Sequence, residues 1–393
     1  MDEAYIVDAV RTPFGEQDGA FRDTHPQDLA AEPLRALDDR NDLGGGDPVE
    51  DIIYGCVSPV GEQGLNIGRI APLVAGWGEE MPGVQLNRMC GSGQQAVNFA
   101  AAEIRGGLSE VLVAGGVEHM TRVPLASDAD TDGQHYADDG IVTETYFEHF
   151  DELTTQGEGA ERIAETYGHG REQVDQIAVD SQRRWGEAAD AGAYDDQVVP
   201  VETTLDGEDI TVTEDGHPRP GTDIETLGDL PLVFREEGEG VVHAGNASGI
   251  VDGAAGVLVA SGEACEEYGW EPIARIVDTH VVGVDPTTML TGPIPATETI
   301  LDENDLTVDD IDRFEVNEAF APVVTAWLDE TGADWERTNV WGGAIAHGHP
   351  LGATGGALLG KLPYQLAECN GQYGLATMCI GFGQGIATLV ERV

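Results

Sequence analysis

Residues 87–107 read NRMCGSGQQAVNFAAAEIRGG, and residues 110–117 continue as EVLVAGGV. The first stretch predicts a helix rich in small residues that opens at Cys90; the second is a short apolar run that predicts a buried strand. The same grammar returns near the other end of the chain, where GATGGALLGKLPYQLAE (352–368) is a second small-residue helix and GLATMCIGF (374–382) is strand-like. Further strands are predicted at AYIVDAV (4–10), DIIYGCV (51–57), ARIVDTHVV (274–282) and DRFEVNEAF (312–320). VEDIIYGCV followed by NRMCGSG is echoed by VDDIDRFEV followed by NVWGGAIAHG. Strands alternating with helices, in two similar runs, predict an α/β fold with an internally duplicated unit.

Residues 120–248 break this pattern. They hold helical stretches, GAERIAETYG and REQVDQIAVDSQRRWGEAADAG, among polar loops. A long excursion from an α/β core is often substrate-binding machinery.

The chain of 393 residues is long enough for two or three domains, and its 41% hydrophobic content argues against disorder. Its charge is extreme: 73 acidic against 19 basic residues, a formal net charge of -54, with Lys361 the one lysine. The acids are spread between apolar stretches rather than gathered in a tail. Such a surface repels itself in dilute salt, whereas in molar salt the screening length shrinks to about 3 Å. The composition therefore points to a salt-loaded cytoplasm and excludes nucleic-acid binding, for which no basic patch exists. MDEAYIVDAVRTPFG has neither the basic nor the apolar region of a signal peptide, and no apolar run reaches a bilayer span. The five cysteines are odd in number and lack metal-type spacing, as expected of single thiols in a reducing cytosol without a bound metal.

Cys90 follows a strand-like run and opens a helix between glycines, so the helix N-terminus is expected to favour its thiolate. Cys379 stands at another strand end that runs into a glycine-rich turn. Asn317 and Glu318, where a buried strand meets a helix, need hydrogen-bond partners or a function. GGAIAHGHPLGATGG (342–356) adds His347 and His349. Read as an extended segment, it turns both rings the same way, so that His347 borders any pocket His349 lines. A cysteine and a histidine on glycine-rich turns, with free backbone N–H groups nearby, suit covalent acyl transfer.

The blocks NRMCGSGQQA, GNASGIVDGAA, NEAFA, GGAIAHGHPLGATGG and CIGFGQG resemble, in order and spacing, the signatures of the thiolases. The resemblance runs from VRTPFG to the last strand. It implies the thiolase fold: two duplicated βαβαβαββ halves in an α-β-α-β-α layered core with an inserted loop domain. The expected boundaries are 1–119 plus 249–269 for the N-terminal half, 120–248 for the coenzyme A-binding loop domain and 270–393 for the C-terminal half. The implied activity is cleavage of 3-ketoacyl-CoA to acetyl-CoA and a shortened acyl-CoA, or the reverse Claisen condensation. Cys90 falls on the acylated nucleophile and His349 on the histidine that activates it. Asn317 falls on the asparagine that binds a water at the thioester oxygen. Cys379 falls on the acid/base at the α-carbon, and the N–H groups of Cys90 and Gly381 on an oxyanion hole.

Arg219, Ser248, Phe234, Met289 and Phe320 match positions that hold coenzyme A or its acyl chain. Coenzyme A and acyl-CoA enter as substrates, with no tightly bound cofactor. A cytoplasmic homodimer or homotetramer is implied, and some thiolases work with a small companion subunit. Thr155 and Gln156 stand where acetoacetyl-CoA thiolases usually carry His-Met, which favours an acyl-CoA-degrading type over the biosynthetic acetoacetyl-CoA thiolase. Phe382 replaces a common glycine, and its bulk either shapes the pocket or fills the core. His347 replaces an aliphatic residue and falls outside the minimum machinery. Ketoacyl synthase-type condensing enzymes use no second cysteine, so Cys379 argues against that class. A non-catalytic thiolase-like protein would not need the full catalytic set.

Overall fold

A computed structural model describes residues 2–129, 141–236 and 238–393. Its strands follow one another across a mixed sheet in the order Arg313–Val316, Tyr373–Ile380, Gln384–Arg392, Ala274–Gly283, Ala4–Arg11, Val251–Ser261, Val111–His119, Asp51–Gly55 and Val84–Leu86. Within the sheet the two halves meet through two paired positions, Tyr5 with Arg275 and Ile6 with Ala274. On either side of that seam the pairing pattern is the same: two antiparallel neighbours, then a parallel one. Even the outermost parallel pairing recurs, as Ile53 with Val84 in one half and a lone bridge of Phe314 with Thr338 in the other.

Alternation along the strands separates the layers. Ile52 and Tyr54 face outward, with Val111 and Val113, onto Leu29, Leu34 and Leu37 of helix Pro26–Asn41 and Ile67 of helix Ile67–Ala75. Ile53, Leu112 and Ala114 face inward with Ala376 and Met378 onto Ala96, Val97, Leu358 and Leu362 of the two small-residue helices. Leu375 and Leu389 face the opposite outer layer, meeting Ile300 of helix Pro293–Glu303 and Trp327 of helix Ala321–Thr331. Side chains of period two buried on both faces make three apolar layers between helices and sheet. The α-β-α-β-α layering expected from the sequence is the observed architecture.

The middle layer is helices Ser92–Arg105 and Leu351–Cys369. Their small residues serve this contact: a Cβ on Gly93 would stand 2.6 Å from Gly352 O, and one on Gly355 would overlap Gln94 N. Residues between Val111–His119 and Val251–Ser261 contribute helices Gln156–Tyr167 and Arg171–Asp190 and a separate hairpin of Val201–Leu205 with Glu208–Val212.

One expectation fails locally. The segment before His349 is not extended: Ala344–His347 forms a helical turn, ended by Gly348 at φ 87°. The two histidines therefore do not share a face. Gly348 has no room for a side chain, because a Cβ there would meet Val251.

Candidate active site

The two middle helices start side by side, and each is preceded by a residue with chemistry. Cys90 lies two positions before Ser92, and His349 two before Leu351. Met89 takes φ 46°, a left-handed conformation that costs a non-glycine residue energy and turns the chain sharply into Cys90. Cys90 is 2% exposed and packs with Val57, Met120 and Leu351.

Burial pushes the Cys90 thiol up to about 11, against the opposing pull of the Gly381 N–H, the Gln156 amide and its own N–H. The buried Glu118 carboxylate raises it further. Whatever favour the helix N-terminus gives the thiolate, desolvation outweighs it at rest. The resting group is a thiol, and a base must take its proton.

His349 has the right protonation for that base. Thr354 Oγ1 donates to Pro350 O at 3.0 Å, so it accepts from His349 Nδ1–H at 2.6 Å. Asn317 Nδ2 donates to His349 Nε2 at 3.3 Å. The ring is thus the Nδ1–H tautomer with its Nε2 lone pair turned to the pocket. Burial holds its pKa down at about 3, which keeps it neutral. Asn317 N is fixed by Thr377 O at 3.0 Å, while its buried Oδ1 has no partner among the described residues. A buried polar atom left open beside a histidine lone pair is a place for water or a substrate oxygen.

Cys379 is fully buried in an apolar cluster with Met289, Ala319 and Ile163, against which Phe320 packs. Burial raises its pKa, and the neighbouring Cys90 raises it further, so the two thiols act on each other. Gly381 lies directly after this strand, and a Cβ there would be 2.9 Å from Met89 Sδ. Phe234 meets Phe320 edge-on at 6.1 Å, and Ser248 N donates to Ala319 O at 3.0 Å. Met289, Phe320, Phe234 and Ser248 are thus linked by contacts to the cluster around Cys379. Arg219 stands further out, exposed, paired with Glu16 at 2.9 Å and bonded to the carbonyls of residues 216–218.

Other polar residues brace the site. Glu318 accepts from Ser181 Oγ, Asn339 Nδ2 and Ile345 N, so its burial is structural where that of Asn317 is not. Lys361 is buried and paired with Glu315 at 2.8 Å, and it donates to Gly342 O at 3.0 Å, tying the Asn317 strand to the His349 loop. His347 is buried elsewhere, with Nδ1 on Gly348 O at 2.8 Å and its ring edge on Phe14. Phe382, at φ 60° and 40% exposed, does not fill the core.

Two residues at the site escaped the sequence reading. Glu118 ends strand Val111–His119, is 1% exposed, and accepts from Val57 N, Ser58 N, Gln63 Nε2 and Gly352 N. A lone acid closing an apolar strand was the available signal. Gln156 was noted only as a departure from pattern; its Nε2 stands 3.0 Å from where a Cβ on Gly381 would be, and its amide opposes the rise of the Cys90 pKa.

A duplicated α/β core with a cysteine and a histidine before its two central helices, and a second thiol beside the first, defines an acyl-transferring condensing or thiolytic enzyme. The profile described as "Thiolase, N-terminal domain" matches residues 4–263, and "Thiolase, C-terminal domain" matches residues 270–392. The chain belongs to the thiolase family and is an acyltransferase. It is 44% identical to a steroid 3-ketoacyl-CoA thiolase of Mycobacterium tuberculosis, over 100% of this chain and 95% of that protein. It is 41% identical to a beta-ketoadipyl-CoA thiolase of Acinetobacter baylyi, over the whole of both. Among solved structures, the acetyl-CoA acetyltransferase of Bacillus anthracis superposes with a TM-score of 0.90 at 36% identity, covering 100% and 99% of the two chains. Human mitochondrial 3-ketoacyl-CoA thiolase gives 0.88 at 34%, with the same coverage.

Proposed function

We propose that the chain cleaves 3-ketoacyl-CoA with coenzyme A, giving acetyl-CoA and a shortened acyl-CoA through an acyl-Cys90 thioester. His349 Nε2 takes the Cys90 proton, and the thiolate attacks the 3-keto carbon. The oxygen that gains charge is met by His349 and by a water on Asn317. The C2–C3 bond breaks, and the acetyl-CoA enolate receives a proton at its α-carbon from Cys379. The N–H groups of Cys90 and Gly381 hold the second oxyanion. Cys379, now a thiolate, takes the proton of the coenzyme A thiol, whose sulfur attacks the acyl-Cys90 carbonyl; Cys90 leaves as a thiolate and recovers its proton from His349. The observation that carries this reading is the neutral His349, whose Nε2 accepts from Asn317 Nδ2 at 3.3 Å and sits beside an Asn317 Oδ1 that has no partner among the described residues.

The degradative direction and a substrate longer than acetoacetyl-CoA are favoured over biosynthetic condensation. Support comes from Gln156 in the pocket and from the steroid and beta-ketoadipyl names of the relatives. Ser248, Phe234, Met289 and Phe320 would line the arm of coenzyme A and the acyl chain, and Arg219 would meet the nucleotide end by releasing Glu16. The loop domain is assigned to residues 120–248, between halves at 1–119 plus 249–269 and 270–393. A cytoplasmic homodimer or homotetramer in a salt-loaded cell fits the net charge of -54. No helix among the described residues is long and apolar enough to cross a membrane.

Thiolysis assayed in high salt from C4 to longer 3-ketoacyl-CoAs tests the substrate assignment. Activity on the longer substrates is expected, and activity confined to C4 would overturn it in favour of the biosynthetic type. Loss of activity when salt is lowered is the expected mark of the acidic surface.

A further inference from the structure

The helical turn Ala344–His347 is too short to satisfy its own backbone. Its internal bonds use two carbonyls: Gly343 O takes Ala346 N at 2.9 Å and His347 N at 3.0 Å, and Ala344 O takes Gly348 N at 2.9 Å. The next two carbonyls, of Ile345 and Ala346, have no amide of the turn to receive, as at the end of any helix. Both are met by side chains from the segment inserted between strands Val111–His119 and Val251–Ser261. Gln182 Nε2 donates to Ile345 O at 3.1 Å, and His217 Nδ1–H donates to Ala346 O at 2.8 Å.

His349 follows this turn through Gly348, and its own N donates to Gly249 O at 3.0 Å. The His217 ring lies over Gly249, where a Cβ would stand 2.2 Å from Nε2. His217 thus bears on the base twice: it holds the carbonyl three residues before it, and it packs on the residue that receives its N–H. Burial lowers the His217 pKa, against the opposing bond to Ala346 O, which favours a neutral ring there. Gln182 is 5% exposed and bonded at both ends, because its Oε1 accepts from Arg219 N at 2.6 Å. A Cβ on Gly186 of the same helix would stand 2.7 Å from Pro220 Cβ, so residues 216–220 rest closely on helix Arg171–Asp190.

Thr354 and Asn317 orient the His349 ring, but the turn before it sets where its backbone stands. A misplacement of about 1 Å in a reacting group costs as much as about 10²-fold in rate. We infer that Gln182 and His217 are positioning residues for the base: they cap the turn that leads to His349 and set where its Nε2 stands relative to Cys90. The inserted segment then has a part in the chemistry beyond holding coenzyme A. This rests on His349 being the group that takes the Cys90 proton.

The test follows acylation of Cys90 by a simple acyl-CoA, by rapid quench and peptide mass, over a range of acyl-CoA concentrations. His217→Phe keeps a ring on Gly249 and removes the N–H to Ala346 O. It is expected to lower the maximal rate about 10-fold, with half-saturation within about 2-fold of wild type. His217→Asn, whose Nδ2 stands where Nδ1 stood, is expected to recover most of that loss. Gln182→Leu is expected to cost a similar factor and, by freeing Arg219 N, to raise the half-saturating concentration; it carries the test should His217→Phe fail to fold. In a His349→Ala background either substitution is expected to change the rate by less than about 2-fold, because the group it positions is gone.

A wild-type maximal rate in His217→Phe and Gln182→Leu, or the same loss repeated in full in the His349→Ala background, overturns the inference. A His217→Asn protein no faster than His217→Phe overturns the part given to His217. Wild-type protein that forms no acyl adduct on Cys90, or His349→Ala protein that acylates at the wild-type rate, would instead overturn the function proposed for the site.

Discussion

The two halves share one plan and divide the chemistry. Counted from the matching bridges at Ile53 and Phe314, three residues on lie Cys56 in the first half and Asn317 in the second. Counted from their parallel partners Ala114 and Leu375, four residues on lie Glu118 and Cys379. Cys90 and His349 are equivalent in the same way, each two residues before a central helix. The first half spends its strand ends on structure. Cys56 is a buried thiol whose pKa burial raises, and Glu118 gathers four N–H donors, one of them from the other half. The second half spends the same positions on an open asparagine oxygen and a second thiol. Duplication supplies two helix N-termini facing one pocket; a helix N-terminus favours an anion and disfavours a cation. A cysteine on one and a neutral histidine on the other use that field in complementary ways.

The sharpest way to break this comparison is to remove one of the paired positions. Cys90→Ser is expected to lower turnover by on the order of 10⁴-fold or more, because no other group carries the acyl chain. His349→Ala should cost roughly 10²- to 10⁴-fold in turnover, the usual worth of a positioned base. Cys379→Ala should cost a similar factor of about 10² to 10⁴ in 3-ketoacyl-CoA cleavage while leaving acylation of Cys90 by a simple acyl-CoA intact. Rapid-quench kinetics would separate those two steps. Equal loss of both would mean the thiols do not divide the work.

Glu118→Gln tests the structural side of the same pair. It keeps one acceptor oxygen and turns an amide donor toward groups that also donate, so about 1–3 kcal/mol of stability should be lost in denaturant titrations. Turnover of the folded fraction should fall less than in Cys379→Ala. The smallest effect is expected from His347→Ala. Its ring meets Phe14 and Gly348 O, so a modest loss of stability and turnover within a few-fold of wild type should follow. A loss matching that of His349→Ala would refute the separation of the two histidines.

The pH dependence follows from the same burial. Cys90 holds its proton longer folded than unfolded, since its pKa rises from 9.0 to about 11. The folded state therefore binds more protons between those values, and this group's contribution to stability falls as pH rises from about 9 to 11. His349 shifts the other way, from 6.5 to about 3, so its contribution is lost as pH falls through that window.

Much of this was legible in the sequence. The small-residue helices and the valine-rich strands beside them carry the layered core, because residues that pack closely on both sides leave a plain compositional trace. Cys90, His349 and Cys379 stood out on glycine-rich turns, and Asn317 as a polar residue where a buried strand meets a helix. Strand Val251–Ser261 was not among the predicted strands, since the glycines and alanines of VDGAAG mask its apolar second half. Its small residues exist for what crosses them: a Cβ on Gly253 would strike Phe14, and one on Gly256 would reach Pro33 and Leu37. The helical turn at Ala344–His347 was also hidden, because four residues are too few for a period to register. The resting protonation of Cys90 was not legible for a different reason. A helix N-terminus is visible in a sequence, but the depth of the pocket above it is not.

The central claim is that Cys90 alone carries the acyl group while Cys379 moves protons. Acid-quenched wild-type protein incubated with an acyl-CoA, digested and mapped by mass spectrometry, tests it most directly. The account predicts the acyl mass on the Cys90 peptide, retained in Cys379→Ala and absent in Cys90→Ser. An acyl group found on the Cys379 peptide, or on neither, would contradict it.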